Sequence, residues 1–361
     1  MIAESLVVVY SIVKVHMTPF SFIFSVKIKL IVFVWEGKDM PSTIVHSYFV
    51  KDVLDILPTQ IRIKLDDNRC RMFGQSVDSL MFYNLFSIFP GKKIRKFHDT
   101  FHTQKSRDFF INLLNIIANN HIDDVDTFSF LVGFICHYVL DSNAHPYIFY
   151  KTGIFNKNER NTYKYNNVHA FMESFLDMDM VSRRENINPY HYNFDSFCFN
   201  CKRFSNSLNH VIDSLFLDTF QISNMHKIYF KSLKQMRKSL LLFRRDPYGL
   251  KKNIYKFVDT FTPKRCYRFE AISYHYPLED KHNFLNSNHS LWRNPVDYNL
   301  TSHDSFVDIY LKAVKQAKVF ICASFDYLDG KDIDLEQVFL NTSYCTGLDC
   351  NLNKKMKYFE Y

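Results

Sequence analysis

Glycine is scarce: 8 residues in a chain of 361, beside 10 prolines. So few turn-formers argue against a turn-rich fold. Together with long apolar runs of 3.6-residue period, they predict an all-α protein, a single domain of many helices. A disulfide framework is also missing. Of the 8 cysteines, Cys70, Cys136 and Cys322 sit in ordinary or apolar contexts and read as small hydrophobes. Cys198 and Cys201 form a lone CxxC, and Cys345 lies close to Cys350; one CxxC without a matching pair is a weak metal signal. A reduced, intracellular chain is the simpler reading.

Uninterrupted apolar runs of membrane-spanning length are missing too. Residues 1–39 are very apolar (LVVVYSIV, FSFIF, LIVFVW) but are broken by Lys14, His16, Lys27 and Lys29. No stretch there reaches the ~18–20 residues of a membrane span. Nor is there a basic start followed by a small-residue cleavage site, and Glu4 stands where a basic residue would be expected. Three readings remain: a poor membrane anchor, a degenerate export signal, or sequence upstream of a start at Met40. The last is favoured, because the text after Met40 reads as the opening of a domain. Residues 40–361 are then expected to form that domain, with the reactive residues in 40–183 and a helical remainder in 184–361. A cytoplasmic location follows, with secretion or anchoring through residues 1–39 as the alternative.

Dense charge of one sign is the fourth absence. The net charge is +8, but Lys and Arg are spread out, with small clusters at Lys92–Lys96 and Arg244–Arg245. No nucleic-acid-binding signature is present, so nucleic acid is not an expected partner. A modest positive balance suits anionic substrates or peripheral contact with a membrane. No protein partner is inferred. The aromatic share of 17% matches the codon bias of an AT-rich coding sequence. Internal repeats and low-complexity tracts are absent.

What is present is concentrated in GFICHYVLDSNAHP, Gly133 to Pro146. His137, Asp141 and His145 recur at every fourth position, which on a helix places them on one face, one turn apart. The residues between them are mostly apolar, so this helix is expected to be buried. A buried carboxylate among imidazoles needs neutralising, and a divalent metal does so directly. Pro146 is expected to stop the helix at or just after His145. NNVHAFMESF repeats the theme with His169 and Glu173, again four apart. Imidazole and carboxylate without thiolate suit zinc at a hydrolytic site.

The rest of the chain reads as follows. Ser42 or Thr43 caps a helix that carries His46. A loop spans Asp66–Arg71, and Asp78 lies near an apolar segment. Pro90–His98 is a basic loop. An amphipathic helix follows, with Phe109, Phe110, Leu113, Ile116 and Ile117 on one face and His102 at its upstream edge. Asp126 or Thr127 caps the helix of His137. Residues 203–245 give two helices, Asp246–Thr262 a short one, and residues 263–301 a looped stretch before a closing helix.

MPSTIVH, GQSVDSLMFY, FHTQKSRDFF, GFICHYVLDSNAHP and NVHAFMES together give the order H…D…H…HxxxD…H…HxxxE. From Met40 to about Arg183 this resembles the zinc-dependent phospholipase C family of bacteria. WRNP (Trp292–Pro295) and SYCTGLDC (Ser343–Cys350) resemble the tails of uncharacterised members. The resemblance implies one all-α domain with two to three zinc ions in a cleft. It implies Asp78, His102, His137 and Asp141 around one ion, and His145, His169 and Glu173 around a second. Asp141 would bridge to a third, held also by His46 and, in secreted members, by a processed chain terminus. His102 rather than His98 is carried over, by its spacing to Phe109–Phe110, leaving His98 a loop histidine. Asp78 is implied as the candidate base. Ser79 stands where choline-preferring members have an aromatic residue, so a cation–π contact with choline is not available there.

The implied activity is hydrolysis of phosphoester bonds, with phospholipid headgroups as the expected substrate. Zinc can neutralise charge developing on phosphate oxygens and activate water near neutral pH. Two alternatives stay open. One is a nuclease-like phosphodiesterase on the same metals. The other is a non-hydrolytic zinc-binding protein.

Overall fold

The computed structural model describes residues 42–360 apart from 86, 88–90, 262–267, 273, 275–279, 281 and 353. The expected 1–39 extension and the candidate start at Met40 lie outside the described residues. Helices dominate: α1 Thr43–Asp55, α2 Thr59–Arg62, α3 Asp67–Phe73, α4 Lys92–Thr103, α5 Ser106–Asn119, α6 Val125–Thr152 and α7 Val168–Glu185. They are followed by α8 Phe194–Cys198, α9 Asn206–Phe220, α10 Met225–Phe243, α11 Leu250–Thr260, α12 Phe306–Leu328 and α13 Leu335–Val338. The strands among the described residues are β1 Trp292–Arg293 and β2 Thr301–Ser302, paired antiparallel. The all-α expectation holds. Among the described residues no helix is long and apolar enough to cross a membrane.

Helix α6 is the axis. Phe130, Phe134, Ile135 and Val139 are fully buried on it, and an α-helix apolar on all sides belongs in a core. Gly133 marks where it crosses α3: a Cβ there would stand 2.6 Å from Phe73 Cβ and 2.8 Å from the Cys70 carbonyl oxygen. Helix α12 lies along its other side. Phe101, Phe109, Phe134 and Phe216 pack as one aromatic cluster, with ring centroids 4.9–6.4 Å apart.

Several local expectations are corrected. The cap of α6 is Asp124, which accepts from the Thr127 backbone N–H at 3.0 Å, rather than Asp126 or Thr127. The helix also does not stop at Pro146 but runs on to Thr152. A proline inside a helix removes one N–H donor. Here the flanking turns are buried, and their packing outweighs that loss. Asp66–Arg71 is not a loop, because Asp66 caps α3 through the Arg69 N–H. The basic stretch before His98 is likewise helical, as the first part of α4.

The N-terminus of α1 is fixed from inside the fold. Asp177 of α7 accepts the Thr43, Ile44 and Val45 backbone N–H groups at 3.2, 2.9 and 2.9 Å, and the Ser42 hydroxyl at 2.7 Å. These are the donors that the first turn of a helix cannot satisfy itself. Asp177 also takes the Arg244 guanidinium at 3.0 Å and the Tyr274 hydroxyl at 2.6 Å. That lock sets the depth of α1, and so of His46 one turn further on.

Candidate metal centre

Five elements deliver the centre. Helix α1 brings His46, the 3-10 turn Ser76–Phe82 brings Asp78, and α4 brings His102. Helix α6 brings His137, Asp141 and His145, and α7 brings His169 and Glu173. All are buried except His145, which is partly so. Asp141 is the hub: its carboxylate oxygens lie 3.1 Å from His137 Nε2, 3.3 Å from His46 Nε2, 3.5 Å from His102 Nε2 and 3.7 Å from His145 Nδ1. Asp78 Oδ1 stands 3.3 Å from His102 Nε2 and 3.7 Å from His137 Nε2. Glu173 Oε1 stands 3.3 Å from His169 Nε2. Three sets of groups lie close enough to share an ion: His46 with His137 and Asp141, Asp78 with His98 and His102, and His145 with His169 and Glu173.

The ring orientations are uniform. A carbonyl oxygen can only accept, so an imidazole nitrogen against one must donate. His137 Nδ1 donates to the Gly74 carbonyl at 3.0 Å, His102 Nδ1 to that of His98 at 2.9 Å, and His145 Nδ1 to that of Tyr344 at 3.0 Å. His169 Nδ1 lies 3.4 Å from the Thr152 hydroxyl. In the neutral ring this leaves the Nε2 lone pair free, as second-shell partners of metal-binding histidines do.

The residues fit a cation on two further counts. Asp141 Oδ2 and His46 Nδ1 are buried without a hydrogen-bond partner. His137 Nε2 also lies 3.4 Å from His102 Nε2, nitrogen facing nitrogen. In the metal-free chain, protons supply the missing charge. Burial alone would lower His46 and His102. The facing carboxylates outweigh it, Asp141 for His46 and both Asp141 and Asp78 for His102, which is pushed up to about 10. Burial alone would raise Asp78 and Asp141, yet the surrounding imidazoles hold both well below the usual carboxylate range. His145 goes the other way: burial pushes it down to about 4, against the pull of Asp141.

Two residues of the centre escaped sequence reasoning. His98 is not a loop histidine. It lies one turn before His102 on α4, with Nε2 3.0 Å from Asp78 Oδ1 and Nδ1 3.1 Å from Asp99. The signal was present, because His98 and His102 are four apart, the same spacing that singled out His137 and Asp141. Tyr344 is the other. Its N–H donates to the His102 carbonyl at 2.9 Å, its carbonyl holds His145, and its ring packs 5.0 Å from that of His102. No local pattern announces a contact across 199 residues. Ser79, as expected, offers no aromatic face: its hydroxyl is buried and donates to the Ser76 carbonyl at 3.0 Å. The cysteines described are all free, including Cys198 and Cys201.

No curated protein and no solved structure matches the chain. The family model for zinc-dependent phospholipase C matches residues 45–226, just over half of the 361. That span holds every side chain of the centre except Tyr344, and the family's metal suits a donor set of imidazole and carboxylate. The chain belongs to the zinc-dependent phospholipase C family and is a zinc-dependent hydrolase.

Proposed function

We propose that the chain hydrolyses the headgroup phosphodiester of a phospholipid, releasing diacylglycerol. The observation that carries this reading is the convergence of four imidazoles on Asp141, each within 3.7 Å. In this reading Asp78, His102, His137 and Asp141 hold one zinc ion, and His145, His169 and Glu173 a second. His46 and Asp141 serve a third. When bound, zinc would neutralise the charge that develops on the phosphate oxygens and lower the pKa of water at the site.

The chain's own groups do the rest. Asp78 orients the attacking water and takes its proton, with His98 hydrogen-bonded behind it on the more exposed side. The water oxygen bonds to phosphorus, the bond from phosphorus to the diacylglycerol oxygen breaks, and that oxygen takes up the proton that Asp78 received from the water. Ser79 in place of an aromatic residue argues against choline selectivity at that wall.

Phospholipid vesicles, a bis-phosphodiester dye and single-stranded DNA, assayed side by side with metal analysis, test the reading. Release of diacylglycerol that stops on chelation and returns with zinc is expected. Cleavage of DNA in preference to lipid would replace it with the nuclease reading. Bound zinc without turnover on any of the three would leave a non-hydrolytic zinc protein.

A further inference from the structure

Of the proposed histidine ligands, His46 is held differently. His102, His137 and His145 each turn Nδ1 to a backbone carbonyl, and His169 turns it to the Thr152 hydroxyl. His46 Nδ1 is buried without a hydrogen-bond partner among the described residues. No second-shell bond therefore fixes the ring. Its Nε2 lies 3.3 Å from Asp141, and the ring stacks on that of His137 with centroids 4.5 Å apart. Stacked rings can slide, so the place of this ring follows the place of α1.

Asp177 fixes one end of that helix. Gln75, which is buried, fixes the side that carries His46. Its Nε2 donates to the Thr43 carbonyl and to the Ser47 hydroxyl oxygen, each at 3.1 Å. On a helix Thr43, His46 and Ser47 share one face. The amide can face only one way. A carbonyl only accepts, and the Ser47 hydroxyl already donates its proton to that same carbonyl at 3.0 Å, so both positions require the NH2 group. Gln75 Oε1 is left buried without a partner. An orphaned oxygen offsets the gain from two neutral hydrogen bonds, so the amide adds little net stability. What it adds is position.

The backbone of Gln75 belongs to the segment that delivers Asp78. Just before it, the Gly74 carbonyl accepts from His137 Nδ1. Just after it, Ser76 is fully buried and has φ +41°. A serine in the left-handed region is strained, and it stays there only where its surroundings hold it. The His137 bond holds the segment on one side of Ser76, and the Ser79 hydroxyl on the Ser76 carbonyl holds it on the other. Gln75 ties the same strained segment to α1. Residues 74–78 thus meet the centre at His137, at Asp78 and, through α1, at His46.

We propose that Gln75 is a positioning residue that keeps His46 in register with His137 and Asp78. It acts through Thr43 and Ser47 and itself touches neither ion nor substrate. Only the consequence for the ion that His46 serves rests on the zinc reading of the centre; the register of the rings does not.

The test is Gln75→Met, which keeps the length of the side chain and removes the amide. The Thr43 carbonyl keeps its bond from the Ser47 hydroxyl, so no new orphan appears there. In the metal-free full chain with isotope-labelled histidine, the ring signals of His46 and His137 should shift while melting stays close to wild type. In zinc titrations followed by calorimetry, one ion should bind about tenfold more weakly and the others as in wild type. Gln235→Met supplies the converse. Gln235 accepts the Asn84 N–H at 2.9 Å, just past the end of the Asp78 turn. Its loss should lower melting, because an N–H loses its acceptor, and leave both ring signals in place. Unchanged ring signals and zinc affinities in Gln75→Met would overturn the proposal. So would weakening of every ion alike together with lower melting, which is what the loss of a merely structural residue produces. The same ring shifts in Gln235→Met would overturn it too, because any disturbance near the turn would then suffice. Ring shifts in Gln75→Met, in a chain that binds no zinc even as wild type, would fail the metal reading and leave this proposal standing.

Discussion

The two parts of the molecule contribute in different ways. The part that matches the family, residues 45–226, supplies all eight proposed ligands, from His46 to Glu173. The part beyond it supplies none, yet it reaches the same centre. Tyr344 bridges α4 and α6 through its backbone, and Arg244 helps fix Asp177 beneath α1. The chemistry is thus concentrated in one half, while the geometry that holds it is shared. A comparison limited to the matching residues would find the ligands and miss the supports that Tyr344 and Arg244 add.

The sharpest way to break that division is at its hub. Asp141→Asn should remove bound zinc and turnover by far more than the ~10–100-fold that a supporting residue costs. Glu173→Gln should cost less, since Glu173 faces His169 where Asp141 faces four imidazoles. Metal analysis and turnover together check this. Full zinc content in the Asp141 variant would remove the hub.

Inside the matching half, His98 tests whether support and ligation are separable. Although the family spacing made it expendable, its hydrogen bond to Asp78 now predicts a loss of ~10–100-fold in zinc affinity for His98→Ala. His102→Ala should lose more. Wild-type affinity in the His98 variant would restore it to a bystander.

The protons of the metal-free centre give a third, smaller effect. His102 is raised to about 10, so its contribution to stability is complete below its unfolded value near 6.5 and is lost as pH rises through about 10. His145 is depressed to about 4. Its unfolded form charges first as pH falls, so stability declines from about pH 6.5 toward 4. Asp78 and Asp141, held low, add a further loss below the ordinary carboxylate range. The chelated protein should therefore melt highest near neutral pH. Zinc must displace the His102 proton, so calorimetric binding heats at pH 7 should vary with the ionisation enthalpy of the buffer. Identical heats across buffers would show that no proton is released.

How much of this was legible in the sequence follows from what each contact depends on. His137, Asp141, His145, His169 and Glu173 could be read directly, because a helix turns a spacing of four into one face. His46, Asp78 and His102 lie on other elements, and no spacing rule links them; only the motif order carried them. Pro146 misled because the rule for proline concerns the local backbone, whereas α6 is held by its surroundings. The polar run at Asp66–Arg71 looked like a loop because its apolar side chains are few. The cap at Asp66 and the packing of α3 on α6 decide it instead. Tyr344 lies in SYCTGLDC, which the resemblance marked, but its contact with the centre could not be read, since that contact is made largely by backbone atoms.

That role of Tyr344 admits the finest test of the shared geometry. Removing its side chain would leave the backbone bonds to His102 and His145 in place, so the segment itself must be shifted. Gly347 allows this. It has φ +66°, and a Cβ there would lie 2.7 Å from the Ser142 carbonyl oxygen and 3.0 Å from Pro146 Cγ, both on α6. Neither neighbour is the free end of a flexible side chain, so Gly347→Ala must push the segment off the helix. Gly330 supplies the control, with φ +83° and nothing within 4 Å of its missing Cβ. Both substitutions carry the strain of a side chain in the left-handed region, about 1–2 kcal/mol. Only the one at Gly347 moves the carbonyl that orients His145. Both metal-free variants should therefore melt lower than the wild type, the Gly347 variant further by the cost of the displaced segment. The Gly347 variant alone should bind zinc several-fold more weakly and change the visible spectrum of the cobalt-substituted protein. Equal metal affinities and equal spectra would confine Tyr344 to packing and return the whole of the centre to the matching half.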